Sequence, residues 1–241
     1  MGMHSYEIPS TFVRRTVIFH YSAEQKTNRA VFILKGLYGE HVPPNIGAKQ
    51  SWDNELIDLL KAQYEVFIFN TGRHNTHDKK EAFVGKTYQN ECDDMKRAFA
   101  FCREKILKRD FLQEIITMSF GGTVLMGCPE ILETAQSVVM IGSGCGKSPT
   151  TTKPLVSTLP DAPDLLKAIS KFTGSLYFLH GGKDTIVSLE SQKKIYESAA
   201  YCFSRGWIEF PELDHELNNP KTGESHTAIL VAKFLNASFS R

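Results

Sequence analysis

"EIITMSFGGTVLM", residues 114–126, reads as a buried strand that turns at Ser119 into Gly121-Gly122 and an apolar helical segment. A serine on such a tight strand-to-helix turn is pushed out above the sheet, with the N-terminus of the new helix behind it. Small residues flank it because strand and helix backbones pass closely there. A serine hydroxyl is a poor nucleophile alone; it needs a base, and the base needs an orienting acid. Both follow downstream, each after an apolar run: Asp184 after "LYFLHGGK" and His215 after "WIEFPELD". Plainer readings exist for each residue. Ser119 in a Gly-rich turn could cap a helix, and Asp184 in "GGKD" could serve a turn. Asp214 competes for the acid role, but adjacent residues on an extended loop point apart, which favours Asp184 as the partner of His215.

The rest of the chain has the rhythm of a parallel sheet. Short continuous apolar runs stand at 17–19, 31–34, 66–69, 114–118, 138–141, 176–179 and 207–210. Continuity rather than alternation predicts parallel strands buried on both faces. Helical periodicity fills the gaps. "SWDNELIDLLKAQ" starts at a plausible cap, Ser51, and puts Leu56, Leu59 and Leu60 on one stripe, while "DDMKRAFAFCREKIL" aligns Met95, Phe99, Cys102 and Ile106. "APDLLKAISKF", "LESQKKIYESAAYCF" and "HTAILVAKFLNASF" complete the series. Strand alternating with helix predicts one α/β domain over residues 1–241, a mostly parallel twisted sheet between two helical layers. Ligands of such sheets bind beyond the carboxyl ends of the strands, where Ser119, Asp184 and His215 all lie.

A second Gly-rich stretch competes for attention. "VVMIGSGCGKSPT", residues 138–150, looks like a phosphate cradle, but a cradle needs G-x-x-x-x-G-K-[ST] and Ile141 occupies the place of its first glycine. Thr150, Thr151 and Thr152 between Pro149 and Pro154 also oppose the helix that should hold the phosphates. The loop is better read as a pocket wall.

Composition narrows the function classes. The 28 Lys+Arg against 27 Asp+Glu leave a net charge of +1, too small a field to argue for nucleic acid. No apolar stretch approaches a membrane span, and the first fifteen residues hold no apolar signal core. Cys92, Cys102, Cys128, Cys145 and Cys202 are odd in number and unpaired in spacing, so free thiols and a cytoplasmic location are expected, with no metal site. His180 reads as structural and His226 as a capping or solvent-facing residue. The run Arg73, His74, His77, Lys79, Lys80 reads as a solvated basic loop, with attraction of an anionic substrate as the rival.

The ordered set "VFILKGLYG", "VFIFNTGRHN", "DDMKRAFAFC", "TMSFGG", "LYFLHGGKD" and "LDH" resembles the α/β-hydrolase family over nearly the whole chain. The resemblance implies a serine hydrolase acting on an ester, thioester or amide of a small-molecule acyl substrate, without a cofactor. It implies catalytic Ser119, Asp184 and His215, an oxyanion hole from the backbone N–H groups of Leu37 and Phe120, and a pocket at Gly36, Tyr38, Ser143 and Val187. Two positions depart from the family pattern. Thr117 stands where the serine turn usually has its first glycine, and Lys35-Gly36 stands where His-Gly is frequent. Family lids are commonly inserted after the sixth strand; here the available stretch, about 142–160, implies a loop lid rather than a helical cap. The rival reading is a non-catalytic member of the same fold that kept the pocket for binding or signalling. The oligomeric state stays open.

Overall fold

The computed structural model describes residues 2–12, 15–44, 51–72, 85–108, 110–146 and 154–237. The basic run at 73–80, the Lys147–Thr152 stretch and the end of the last helical segment lie outside these residues. Eight strands form one sheet in the order β1-β2-β4-β3-β5-β6-β7-β8. They are β1 (Met3–Pro9), β2 (Arg15–Tyr21), β3 (Arg29–Leu34), β4 (Glu65–Asn70), β5 (Leu112–Met118), β6 (Ala135–Ile141), β7 (Ser175–Gly181) and β8 (Ser204–Phe210). From β4 to β8 every neighbouring pair is parallel, and β3 and β5 sit at the centre. The central runs behave as expected: Val31, Ile33, Val66 and Ile68 point to one face, and Phe32, Leu34, Phe67 and Phe69 to the other, all buried. The run at 207–210 is parallel as expected but not buried on both faces: it lies in β8, the strand at the other edge, and none of its residues is fully buried.

The run at 17–19 differs from its reading as a parallel strand. It lies in β2, which pairs antiparallel with both β1 and β4. The physical reason is position near an edge. Thr16, Ile18 and His20 are buried while Val17 and Phe19 are only half-covered, so the strand alternates. The outermost strand, β1, has no apolar run to announce it; Ile8 is its only buried residue.

Helices cover both faces. α1 (Trp52–Leu60) and α8 (Thr227–Ala237) pack on one, through Leu56, Ile57 and Leu60 against Val31, Ile33 and Ile68 and through Ala228, Val231 and Leu235. α2 (Tyr88–Phe101), α3 (Phe120–Met126), α4 (Pro129–Leu132), α5 (Pro154–Ser157), α6 (Ala162–Ile169) and α7 (Leu189–Ser198) follow in chain order. All but α5 and α7 bury several apolar side chains in the opposite core; α5 contributes Leu155 and α7 Ile195. α2 starts before its periodic stripe, because Thr87 and Asn90 cap each other reciprocally. Beyond Phe101 the chain continues as a π-helical turn, Cys102–Leu107, which buries Leu107 and leaves Ile106 half-covered. Ser51 does precede α1, but its side chain caps no helix N–H; Asn54 donates to its hydroxyl instead, at 3.0 Å. Within 142–160 the helical turn α5 appears where only loop was expected.

Candidate active site

Parallel β5 delivers Ser119 to the carboxyl edge of the sheet, and the turn there is strained. Ser119 has φ 52° and ψ −119°, a conformation that side-chain-bearing residues rarely adopt. Such a residue costs on the order of 1–3 kcal/mol and persists only where its surroundings enforce it. Those surroundings are identifiable. The Ser119 N–H donates to the Ile141 carbonyl at 2.7 Å, tying the turn to the end of β6. A side chain on Gly121 would run into the Leu34 carbonyl, so α3 leaves the turn pressed against β3. The hydroxyl makes no cap to α3, and among the described residues it makes no hydrogen bond at all. The plain helix-capping role is therefore absent.

Thr117, in place of the usual glycine, is fully buried and its hydroxyl meets the Ser143 hydroxyl at 3.3 Å. Room for this pair comes from Gly122, where a Cβ would collide with the Ser143 hydroxyl and come within 3.0 Å of Thr117 Oγ1. The crowding expected from a β-branched residue is thus relieved one helical turn away. Ser143 is consequently buried beneath the serine turn, while Tyr38 is exposed.

Asp184 and His215 meet. His215 Nδ1 lies 2.8 Å from Asp184 Oδ2, and the aspartate side chain is fully buried. Three further donors complete this carboxylate. The N–H groups of Ile186 and Val187 reach Oδ1 at 2.8 and 2.9 Å, and Gln192 Nε2 reaches Oδ2 at 3.0 Å. Burial pushes the Asp184 carboxyl upward, but the His215 hydrogen bond and the two N–H donors outweigh it and hold the group below its ordinary value. Asp214 does other work: its Oδ1 accepts from the Glu216 and Asn218 N–H groups, which shapes the histidine loop. With Nδ1–H given to Asp184, Nε2 of a neutral His215 ring is left as an acceptor.

The glycine after β6 joins the two halves. Gly142 has φ +54°, and a Cβ there would lie 2.8 Å from both Cε1 and Nδ1 of His215. His215 thus packs on the residue next to Ile141, whose carbonyl holds the Ser119 turn. On the other side, a Cβ on Gly36 would stand 3.4 Å from the Ser119 Cβ, so the Gly36-Leu37 loop borders the serine. Val187 packs on Gly144, with its Cγ1 2.8 Å from where a Cβ would project. His180 is buried beside Trp207, ring centroids 5.6 Å apart, and takes no part in this cluster. His226 is half-exposed, with Glu224 at 3.9 Å.

Sequence reasoning missed Gln192, the third side of the aspartate's shell. Its only signal is a polar residue on the buried stripe of α7, three positions before Ile195. It also missed what supports Lys35. The Lys35 ammonium is buried against Asp53 at 2.8 Å, and Asp53 in turn takes His41 Nδ1 at 2.6 Å. Burial again pushes this carboxyl upward, and the His41 hydrogen bond and Lys35 charge hold it well below the usual carboxylate range. No group of three or more metal-ligating side chains is found among the described residues.

No family model and no curated protein matches this chain by sequence. Solved structures do match. The esterase domain of a Rhodothermus marinus protein superposes with TM-score 0.68 at 15% identity, covering 99% of this chain and 98% of that one. The fold is that of the α/β-hydrolases. Est1E from Butyrivibrio proteoclasticus has TM-score 0.68 at 11% identity, over 98% of this chain and 99% of its own. The Pyrococcus horikoshii acylaminoacyl peptidase reaches TM-score 0.72 at 12% identity, over all of this chain but 41% of that longer one. In the α/β-hydrolase frame, Ser119, Asp184 and His215 follow β5, β7 and β8, at one edge of the sheet. No helix among the described residues is long and apolar enough to cross a membrane.

Proposed function

We propose that this chain is a serine hydrolase that cleaves an ester, thioester or amide through an acyl-enzyme. The observation that carries the reading is the strained, uncapped Ser119 beside a His215–Asp184 pair whose carboxylate is fully hydrogen-bonded. His215 Nε2 takes the Ser119 proton as the hydroxyl attacks the acyl carbonyl. Asp184 fixes the tautomer and steadies the imidazolium. The N–H groups of Leu37 and Phe120 receive the oxyanion, an interaction worth about 3 kcal/mol per donor. The imidazolium then protonates the leaving group. Water, deprotonated by the same ring, releases the acyl group.

Residues 1–241 act as a single unit in this reading, with Gly36, Tyr38 and Val187 at the mouth of the cleft and the segment after β6 as a short lid. A cleft closed by a short lid buries little acyl surface, and each lost CH₂ contact forfeits up to about 0.8 kcal/mol. Short-chain or bulky, partly polar acyl groups are therefore the expected substrates. Hydrolysis of p-nitrophenyl esters should fall beyond roughly butyrate or hexanoate at that cost per carbon. A kcat/KM that climbs steadily to long chains contradicts the open cleft.

One observation favours the rival, a binding protein on the same fold: the Ser119 hydroxyl makes no hydrogen bond to His215. Hydrogen bonds of this kind often tighten only when substrate arrives. Turnover of a short-chain ester, lost in Ser119→Ala while the fold survives, supports the hydrolase. An inactive parent chain that still binds acyl esters supports the rival.

A further inference from the structure

The loop from Lys35 to Val42 carries Leu37, and it is pinned at three points by buried polar groups from three different elements. At its start, Lys35 Nζ meets Asp53 Oδ2 of α1 at 2.8 Å, both side chains almost wholly buried, with the Trp52 ring 5.0 Å from the ammonium. The loop then folds back over this lysine. Gly39 N–H donates to the Gly36 carbonyl at 3.2 Å, and a Cβ on Gly39 would stand 3.2 Å from Lys35 Cε. At its far side, His41 and Asn70 at the end of β4 exchange two hydrogen bonds, His41 N–H to Asn70 Oδ1 at 2.9 Å and Asn70 Nδ2 to the His41 carbonyl at 2.8 Å. The His41 ring bridges Asp53 through Nδ1 at 2.6 Å and the Tyr21 hydroxyl of β2 through Nε2 at 2.7 Å. Asn54 Nδ2 holds the Val42 carbonyl at 3.1 Å.

Asp53 is the hub, since its single Oδ2 atom receives both ends of the loop. Buried ion pairs add little net stability, because desolvation offsets their attraction. Their best-attested use is to fix one arrangement over its competitors. The arrangement fixed here is the turn that sets Gly36 against Ser119 and carries Leu37. We infer that Lys35, Asp53 and His41 are positioning residues that hold the oxyanion loop in its reactive geometry. The inference rests on the serine-hydrolase reading. It gives Lys35 a reason to stand where His-Gly is frequent: the stem supports the turn and the ammonium locks it to α1.

The test compares the parent chain with Asp53→Asn, Lys35→Met and the milder Tyr21→Phe. It uses p-nitrophenyl butyrate turnover and inhibition by a short-chain trifluoromethyl ketone, whose hemiketal mimics the oxyanion. Displacing a donor from an oxyanion site costs on the order of 100-fold. For Asp53→Asn and Lys35→Met, kcat should fall roughly 10- to 100-fold with KM changed less than about threefold. The ketone's inhibition constant should rise by the same factor as kcat/KM falls, and Lys35→Arg should recover much of the loss. Folded variants that keep kcat within about twofold of the parent overturn the proposal, as does lost activity without a matching rise in that constant. Should Asp53→Asn fail to fold, Lys35→Met and Tyr21→Phe decide. If none of the three folds, the cluster is a fold determinant and the proposal fails. A parent that neither turns over ester nor binds the ketone sinks the hydrolase reading itself, whereas an active parent with unaffected variants sinks only the positioning role.

Discussion

Among the described residues two His–Asp pairs have nearly the same geometry, His215–Asp184 at 2.8 Å and His41–Asp53 at 2.6 Å. What each can do is decided by the second ring nitrogen. In His41 it is occupied by the Tyr21 hydroxyl, both partners of the pair are fully buried, and Lys35 shares the same carboxylate oxygen. Nothing is left with which to move a proton. Among the described residues, the His215 ring makes only the Asp184 hydrogen bond, its side chain is 13% exposed, and it packs beside the residue whose carbonyl anchors the Ser119 turn. A His–Asp pair can move a proton only when one ring nitrogen is left unoccupied. Closed at both ends, it is a clamp.

The largest expected effect separates the two pairs directly. His215→Ala should lower kcat/KM for a short-chain ester by about 10³- to 10⁴-fold while the melting temperature shifts little. His41→Ala should do the reverse: a fall of several degrees in melting temperature from broken buried hydrogen bonds, with activity reduced far less. Equal losses of activity in the two variants would erase the distinction.

The next effect is on acid stability. Both aspartates have carboxyls held below their ordinary value, Asp53 further than Asp184. A depressed carboxyl contributes stability above its unfolded pKa, near 3.9, and loses it as pH falls through the folded value. The melting-temperature gap between the parent and Asp53→Asn should therefore be full at pH 7 and shrink on acidification. Removing the buried charge from a paired lysine costs about 3 kcal/mol, so this gap should be the wider one. Asp184→Asn should show a smaller gap that closes at higher pH. A gap that widens as pH falls would contradict the sign for either residue.

A smaller effect bears on the His215–Asp184 pair. Gln192 is one of four donors on Asp184, so Gln192→Leu should lower kcat by roughly threefold to tenfold and leave KM nearly unchanged, in steady-state assays of a short-chain ester. A change in KM alone would place Gln192 on the substrate side instead.

Much of this fold was legible because its signals are local. Continuous apolar runs marked β3 to β7, and "TMSFGG" marked the tight strand-to-helix turn at Ser119. Asp184 and His215 were legible because parallel strands put their following residues at one edge of the sheet. β1 and β2 were harder to read, since near an edge the burial that makes a run continuous is halved. The cap of α2 escaped because Asn90 replaces the usual Glu or Gln of a reciprocal cap. The His41–Asp53 clamp was illegible for a deeper reason. Lys35, His41, Asp53, Asn70 and Tyr21 share no period and come together only when β2, β4 and α1 close around one loop.

The reactivity of Ser119 is tested most directly by intact-mass measurement after exposure to a fluorophosphonate, which reacts only with an activated serine. The parent chain should gain one phosphonyl group, mapped to Ser119 by peptide sequencing. Ser119→Ala should gain none, His215→Ala should react at least about a hundredfold more slowly, and His41→Ala should still be labelled. An unlabelled parent, or an adduct that survives in Ser119→Ala, would contradict the assignment of Ser119 as the nucleophile.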